Sequence, residues 1–434
     1  MTGLRLTSPR IILKAIRFKS LPVRLVCILF AVVVTYFSVK VFLWCFASSA
    51  SINASVKEVG DLLVSISPAD PQTHFARAAV YEKTFETDDL QIALREYETA
   101  AALAPNNYLL WLSLGSTYGR VGDNARAEAA FRRAKELAPN YSQVNWALGN
   151  FLLREGNDDE GYAELRKAVS GDSKYAASAA STALQFSDGD LDLAHSRLAG
   201  IPSFEVAFSV LLADQKELNK ALEIWNKIEP QAKDDKYLDA YSRLRSLLID
   251  QKRFTDAITL IGPAKETGPD EAAVGKISNP GFEGKIVAEN PNIFDWRVFK
   301  GTYPQVAVTD AQKHSGNYSL IVVLSGSEFR EFRGVSQTVA VRPGAAYQLK
   351  INYRSDVNSK VQFFWEVASA KDGKRISISA PLQPSLQWAI STVDFQVPGD
   401  IDGVDIRFLR GECIAAACSA SGSFWFDDLE LIQK

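Results

Sequence analysis

The 434-residue sequence is poor in the residues that bind metals and act as nucleophiles. It has three histidines, His74, His195 and His314, far apart, and four cysteines in two separated pairs. Metal-ligand spacings and Cys/His catalytic patterns are therefore missing. GxxxxGK(S/T), GxSxG, HExxH and paired CxxC are missing too. A carboxylate pair of the glycosidase kind has no positive signature, so the chain reads as a binding protein and not an enzyme. Excess positive charge is also lacking: 48 Lys and Arg face 51 Asp and Glu, for a net charge of −3. Without a basic field, nucleic acid is set aside as a partner. Charged residues at 23% and hydrophobic residues at 47% exclude a wholly disordered or many-span chain. The length suggests two or three ordinary cores.

Acidic residues are absent from the first twenty positions, which carry Arg5, Arg10, Lys14, Arg17 and Lys19. Residues 21–47 follow, apolar except for Arg24 and Lys40 and long enough to cross ~30 Å of hydrocarbon. Lys40 can snorkel and Trp44 suits the interfacial belt. By the positive-inside rule the tail 1–20 is cytoplasmic and the bulk of the chain extracytoplasmic. A cleaved signal peptide ending at Ser48-Ser49-Ala50 remains the alternative, although the basic region is long and the apolar run exceeds a typical signal core. Residues 48–68 read as a juxtamembrane linker.

From Tyr108 to Asn140 the residues Trp111, Leu114, Gly115, Tyr118, Ala127, Phe131, Ala134 and Pro139 fall on a helix-pair spacing. Trp111, Leu114 and Tyr118 make a buried stripe, Gly115 and Ala127 let two helices cross closely, Phe131 fills the gap, and Pro139 stops the second helix. The pattern resembles a tetratricopeptide repeat. One period of about 34 residues upstream, Ala93, Tyr97, Ala100 and Pro105 are in register; downstream, Trp146, Leu148, Gly149, Leu152, Leu165 and Ala168 nearly are. Beyond Tyr175 the pattern decays, but helical periodicity persists to about Lys265. The array is expected over 69–265. The resemblance implies a solenoid holding a protein partner in its groove, with Asn107, Ser113, Arg120, Asn145 and Asn150 as candidate contacts.

After the linker 266–276 the period changes to alternation. Nine short β-runs broken by Gly, Pro and Ser turns predict an antiparallel jelly-roll sandwich over 277–434. In this stretch Asn279-Pro280-Gly281-Phe282-Glu283, Trp296, His314-Ser315-Gly316, Gln337, Pro343-Gly344, Trp388 and the ending Gly422 to Leu431 resemble the carbohydrate-binding-module-like, or galactose-binding-like, sandwiches. In this reading Trp365, Trp388, Trp425 and Leu429 pack the core. The resemblance implies a structural calcium between Glu283 and Asp427 or Asp428. A solvated acidic turn accounts for the same residues, and Pro280 stands where many members have Gly. By period two, Gln348, Lys350, Asn352 and Arg354 share one face of their strand, while Gln362, Phe364 and Glu366 share one face of theirs. Paired antiparallel, the two runs would form a polar face with one aromatic, suited to a polysaccharide or simply solvated.

The fold class expected is thus one transmembrane helix, an all-α solenoid and a β-sandwich. The setting is a bacterial inner membrane with the bulk in the periplasm, since singly anchored tetratricopeptide proteins recur in polysaccharide export. Cys413 and Cys418 enclose a short loop in a compartment that permits oxidation. They are expected to be bridged, so thiol labelling under denaturing, non-reducing conditions should find neither reactive.

Overall fold

The structure, a computed structural model, describes residues 21–84, 86–229, 237–262, 272–284, 286, 292–301, 303–325, 332–412 and 419–434. The basic tail and the Cys413–Cys418 pair lie outside them. The chain forms two compact units, Met1–Tyr175 and Ala176–Lys434.

In the first unit, α1 (Leu21–Ser51) is an apolar helix of 31 residues, about 46 Å long at 1.5 Å per residue. Its span from Val23 is exposed and long enough to cross a membrane. The helix does not end in a loose linker. It runs on to Ser51, into the start of the stretch expected to be juxtamembrane, and its end is buried at Ala47 and Ser51. There it packs on α2 (Lys57–Ile66) and α3 (Pro71–Glu82).

Three helix pairs follow: α3 with α4 (Thr87–Leu103), α5 (Tyr108–Arg120) with α6 (Asn124–Leu137), and α7 (Ser142–Arg154) with α8 (Asp158–Gly171). Missing side chains let the partners approach. A Cβ on Gly115 would meet the Phe131 ring at 3.0 Å, and one on Gly149 would meet the Gly161 carbonyl oxygen at 2.9 Å. Ala93, Tyr97, Ala100, Leu114, Tyr118, Ala127, Phe131, Leu148, Leu152, Leu165 and Ala168 are buried as the repeat spacing requires. Trp111 is only half-buried, and its indole N–H donates to Pro105 O at 2.9 Å.

The second unit opens with α9 (Ala176–Gln185), α10 (Leu191–Leu198), α11 (Pro202–Asp214), α12 (Leu218–Lys227), α13 (Leu238–Asp250) and α14 (Phe254–Thr259). Eleven described strands follow: β1 (Arg297–Val298), β2 (Gln305–Thr309), β3 (Ser319–Ser325), β4 (Val335–Ala340), β5 (Ala346–Ser355), β6 (Asn358–Ser359), β7 (Phe363–Ser369), β8 (Arg375–Ile378), β9 (Ser385–Gln396), β10 (Gly403–Arg410) and β11 (Ala420–Gln433). One sheet runs β1-β4-β10-β7-β8. The other runs β2-β3-β11-β5-β9, with β6 on β11. Every pairing is antiparallel. Tyr347, Leu349, Ile351, Phe363, Trp365, Val367, Phe424 and Phe426 fill the space between the sheets. The helices join the sandwich at Asp402, whose carboxylate accepts the Phe254 and Thr255 N–H groups at 3.2 and 2.8 Å and so caps α14. Gly403 leaves room beside it for the buried Phe254 ring.

In the first unit a partly buried ionic group ties α2, α3 and α4 together. His74 Nε2 donates to Pro68 O at 2.9 Å, and Nδ1 lies 2.5 Å from Glu96, which also accepts from Arg77 at 2.7 Å. Arg77 reaches Asp61 of α2 at 2.7 Å. The Glu96 contact holds the His74 pKa above its ordinary 6.5. Burial pushes Glu96 up, but the His74 and Arg77 contacts outweigh it and leave the carboxyl below 4.5. The His74 contribution to stability is thus complete below pH 6.5 and lost as pH rises through its higher folded pKa; that of Glu96 is present above pH 4.5 and lost on acidification. Melting followed by circular dichroism should fall above pH 6.5 by an amount equivalent to about 1–2 kcal/mol. His74→Gln should flatten that decline.

Candidate functional site

The outer face of the β11–β5–β9 part of the sandwich brings together an aromatic and cationic cluster. On β11, Phe424 and Phe426 point into the core, so Trp425 between them faces outward and is half-buried. Trp425 pairs in register with Arg354 of β5, whose guanidinium lies over the indole at 5.9 Å. Across β5, Tyr353 pairs with Ala389 and Ser355 with Ser385, so an irregularity in the pairing sets Arg354 beside the 386–388 segment of β9. Trp388 stands there, half-buried, its ring 5.5 Å from that of His314. Gln312, on the same loop as His314, accepts from Arg354 Nη1 at 2.8 Å. Leu386 and Ile390 border the cluster and are exposed.

A buried carboxylate holds the 310–318 loop in position. Asp427 Oδ2 accepts from the backbone N–H groups of His314 at 2.7 Å and Ser315 at 3.2 Å, and Oδ1 accepts from Asp428 N–H at 2.8 Å. A register shift between Asp427 and Glu430 inserts a β-bulge, and Asp428 takes a left-handed φ of 45°. Asn352 is buried and donates to Asp428 O at 3.1 Å, which fixes the bulge. Asp428 then faces His314 Nδ1 at 2.6 Å and accepts from Ser315 Oγ at 2.8 Å. Burial pushes the Asp427 pKa up against its three N–H donors. Glu283 Oε1 accepts from Asn317 N and Tyr318 N at 2.7 and 3.0 Å, and these bonds hold its carboxyl below the ordinary range.

Glu283, Asp427 and Asp428 do converge. A Cβ on Gly281 would lie 3.5 Å from Asp427 Oδ1, 3.4 Å from Asp428 Oδ1 and 3.9 Å from Glu283 Cγ. Their oxygens, however, are engaged by backbone, hydroxyl and imidazole groups. Among the described residues no three acidic, His or Cys side chains form a metal-binding group. A calcium ion here would share these carboxylate oxygens with the donors already on them.

The face expected from sequence is divided by the topology. β5 and β7 lie in different sheets, so Gln362, Phe364 and Glu366 do not join Gln348, Lys350, Asn352 and Arg354. Glu366 is buried on the other sheet, paired with Arg375 at 2.5 Å and Arg407 at 3.7 Å. Phe364 is half-buried there, and Gln362 lies at a pocket of about 240 Å³ beside Lys360 and Pro381. Gln348 donates to Asp394 at 2.9 Å, and Lys350 stands between Glu430 and Thr392. Arg354 alone of the seven belongs to the tryptophan cluster. Trp425 and Trp388 were expected in the core; the alternation in Phe424-Trp425-Phe426 was the signal that Trp425 faces away from it.

On the repeats, a cleft of about 410 Å³ is lined by Ser116, Arg120, Asn124, Arg154 and Glu155 over a floor that includes Phe131 and Phe151. Of the five candidate contacts only Arg120 lines it, paired with Glu82 at 2.7 Å. The other four serve the fold or lie apart. Asn107 caps α5 through Leu109 N–H, and Asn145 is buried, accepting from Lys135 at 2.5 Å. Asn150 donates to Trp146 O at 2.8 Å, and Ser113 is half-buried, its carbonyl accepting from Thr117 at 2.9 Å.

The tetratricopeptide repeat family model matches residues 108–141, the α5–α6 pair and its flanks. No curated protein matches the chain at a significant level. Among solved structures, the chain is similar to a CBM4 domain at 17% identity, covering 37% of this chain and 100% of that one, with a TM-score of 0.29. It is similar to TmCBM61, solved with β-1,4-galactotriose, at 21% identity, covering 36% and 96% with a TM-score of 0.26. The MamA protein of MSR-1 matches at 20% identity, covering 28% and 67% with a TM-score of 0.24.

Replacing Asp427 with Asn would point an amide NH₂ at N–H donors and leave part of the set unmet. Asp427→Asn should cost about 1–3 kcal/mol in denaturant unfolding. The structural calcium expected at Glu283, Asp427 and Asp428 is checked by melting: a temperature raised by calcium and lowered by a chelator supports it, and an unchanged one removes it.

Proposed function

We propose that this chain is a membrane-anchored scaffold that holds a protein partner on its helix-pair repeats, outside the cytoplasmic membrane of a bacterium, in envelope or exopolysaccharide assembly. The observation that carries the proposal is the repeat at 108–141 together with the cleft it lines, where Arg154 and Ser116 are exposed and Phe131 and Phe151 form an apolar floor. Such a surface suits an extended segment with polar or acidic side chains. The proposal contains no catalytic step.

The anchor reading gains support from packing. Cleavage after Ala50 would remove Ala47, fully buried where α1 meets α2 and α3, and would expose the surface it covers. An uncleaved helix keeps that core closed. The inside position of the N-terminus rests on the basic tail of the sequence.

A second reading is favoured by a separate observation: Trp388, Arg354 and Trp425 form a surface on which a sugar ring could stack and bond. In this reading the sandwich recognises a glycan and the repeats link it to assembly machinery.

Two measurements test these proposals. Protease added to spheroplasts should remove the repeats and sandwich, and the mature protein should retain residues before Ser51; a protected C-terminus would sink the topology, and an N-terminus at Ser51 would replace the anchor with a cleaved signal. The detergent-solubilised full chain should retain a defined partner from envelope extract, and Arg154→Ala should cut retention at least tenfold without changing the melting temperature. Unchanged retention would remove the cleft from the proposal.

A further inference from the structure

On the glycan-binding reading of the tryptophan face, we infer that the sugar it takes is anionic, a hexuronate whose carboxylate meets Arg354. The charges around the cluster point to this. Asp428 is engaged by His314 at 2.6 Å, and Asp394 by Lys434 at 2.6 Å and Gln348 at 2.9 Å. Glu430 stands opposite Lys350 in the β11–β5 register. Arg354 differs: among the described residues its polar contact is to the neutral Gln312, and no carboxylate lies within ion-pair distance. Its Nε is buried without an acceptor, and so is the indole Nε1 of Trp425, its register partner.

A half-buried guanidinium with no counter-charge, next to an indole N–H with no acceptor, is an incomplete polar group. The buried Nε and indole N–H are closed to a ligand, so one that matches the group must bring acceptor oxygens and negative charge to the terminal guanidinium nitrogens. The planar fork of arginine matches a carboxylate through two parallel hydrogen bonds. Trp425 lies under one side of the guanidinium, and Trp388 stands on the strand at its other side, so a pyranose ring bearing that carboxylate finds an aromatic surface beside the charge. His314 and Gln312, held by the loop that Asp427 anchors, supply polar groups at the border. A neutral sugar could use the rings but would leave the charge of Arg354 unmatched. A lysine would keep the charge and lose the fork.

The test is calorimetric titration of the full chain in detergent micelles with hexasaccharides of glucuronic, galacturonic and mannuronic acid, each beside its methyl-esterified form. At least one acid hexamer should bind tenfold or more tightly than its ester, with affinity falling as salt is raised. Arg354→Gln should abolish that preference while leaving binding of the ester within twofold, and Arg354→Lys should retain only part of it. Trp425→Ala should weaken acid and ester alike. Equal binding of acids and esters by the native protein would overturn the anionic inference and leave the glycan reading standing. Binding of no hexamer, charged or esterified, would overturn both. Should Arg354→Gln lower the melting temperature, the acid-to-ester ratio of the native protein and of Arg354→Lys decides the matter.

Discussion

The sandwich's candidate face depends on one buried carboxylate. Asp427 has no solvent exposure, yet it lies on a strand whose neighbours alternate between core and surface. Burying a carboxylate is unfavourable unless donors surround it. Here three backbone N–H groups do so, two of them from the 310–318 loop. The bulge after Asp427 turns the next carboxylate toward His314 and Ser315, so consecutive acids secure the same loop from two directions. This places Gln312 against Arg354 and His314 against Trp388. The face is therefore made by strands β11, β5 and β9 but completed by a loop that one buried group fixes.

Much of the architecture was legible because helices and strands announce themselves through period. The helix-pair spacing from Trp111 to Pro139 named the close crossing at Gly115 and the residue that fills it, and Phe131 occupies that place. The nine alternating runs all became strands, and the inward set of β5 was correctly given by parity. Periodicity could not show that α1 runs on to Ser51 and that a second helix, Lys57–Ile66, follows it. That depends on Ala47 and Ser51 finding partners on α2 and α3, a long-range fact.

The site was less legible because parity fixes which face a residue takes, and not which strand lies beside it. β5 and β7 are neighbours in sequence and would pair if joined by a hairpin. Instead the connection passes from one sheet to the other, with β6 pairing β11 on the way. Gln362, Phe364 and Glu366 were thereby carried to the opposite side of the sandwich. Trp388 was misread because aromatics are good core residues, although the alternation that buries Ser391, Val393 and Phe395 turns Trp388 to the outer face of β9. Asn145 and Asn107 looked available because polar residues usually are, but one neutralises buried polarity beside Lys135 and Glu164 and the other closes a helix end.

On the proposed reading, in which α1 is uncleaved and spans a membrane, its packing on α2 and α3 makes it more than a tether. A flexible stalk would let the solenoid tumble over a hemisphere above the bilayer. An anchor helix whose end packs on α2 and α3 would act as an axle, so that the helix pairs next to it would keep a set tilt and height above the headgroups. A partner then meets a groove already aimed, and encounter becomes a search in two dimensions among molecules that share an orientation. Force applied to the captured partner passes along the backbone hydrogen bonds of one continuous helix into the lipid, and a change in bilayer thickness that tilts α1 will swing the groove with it.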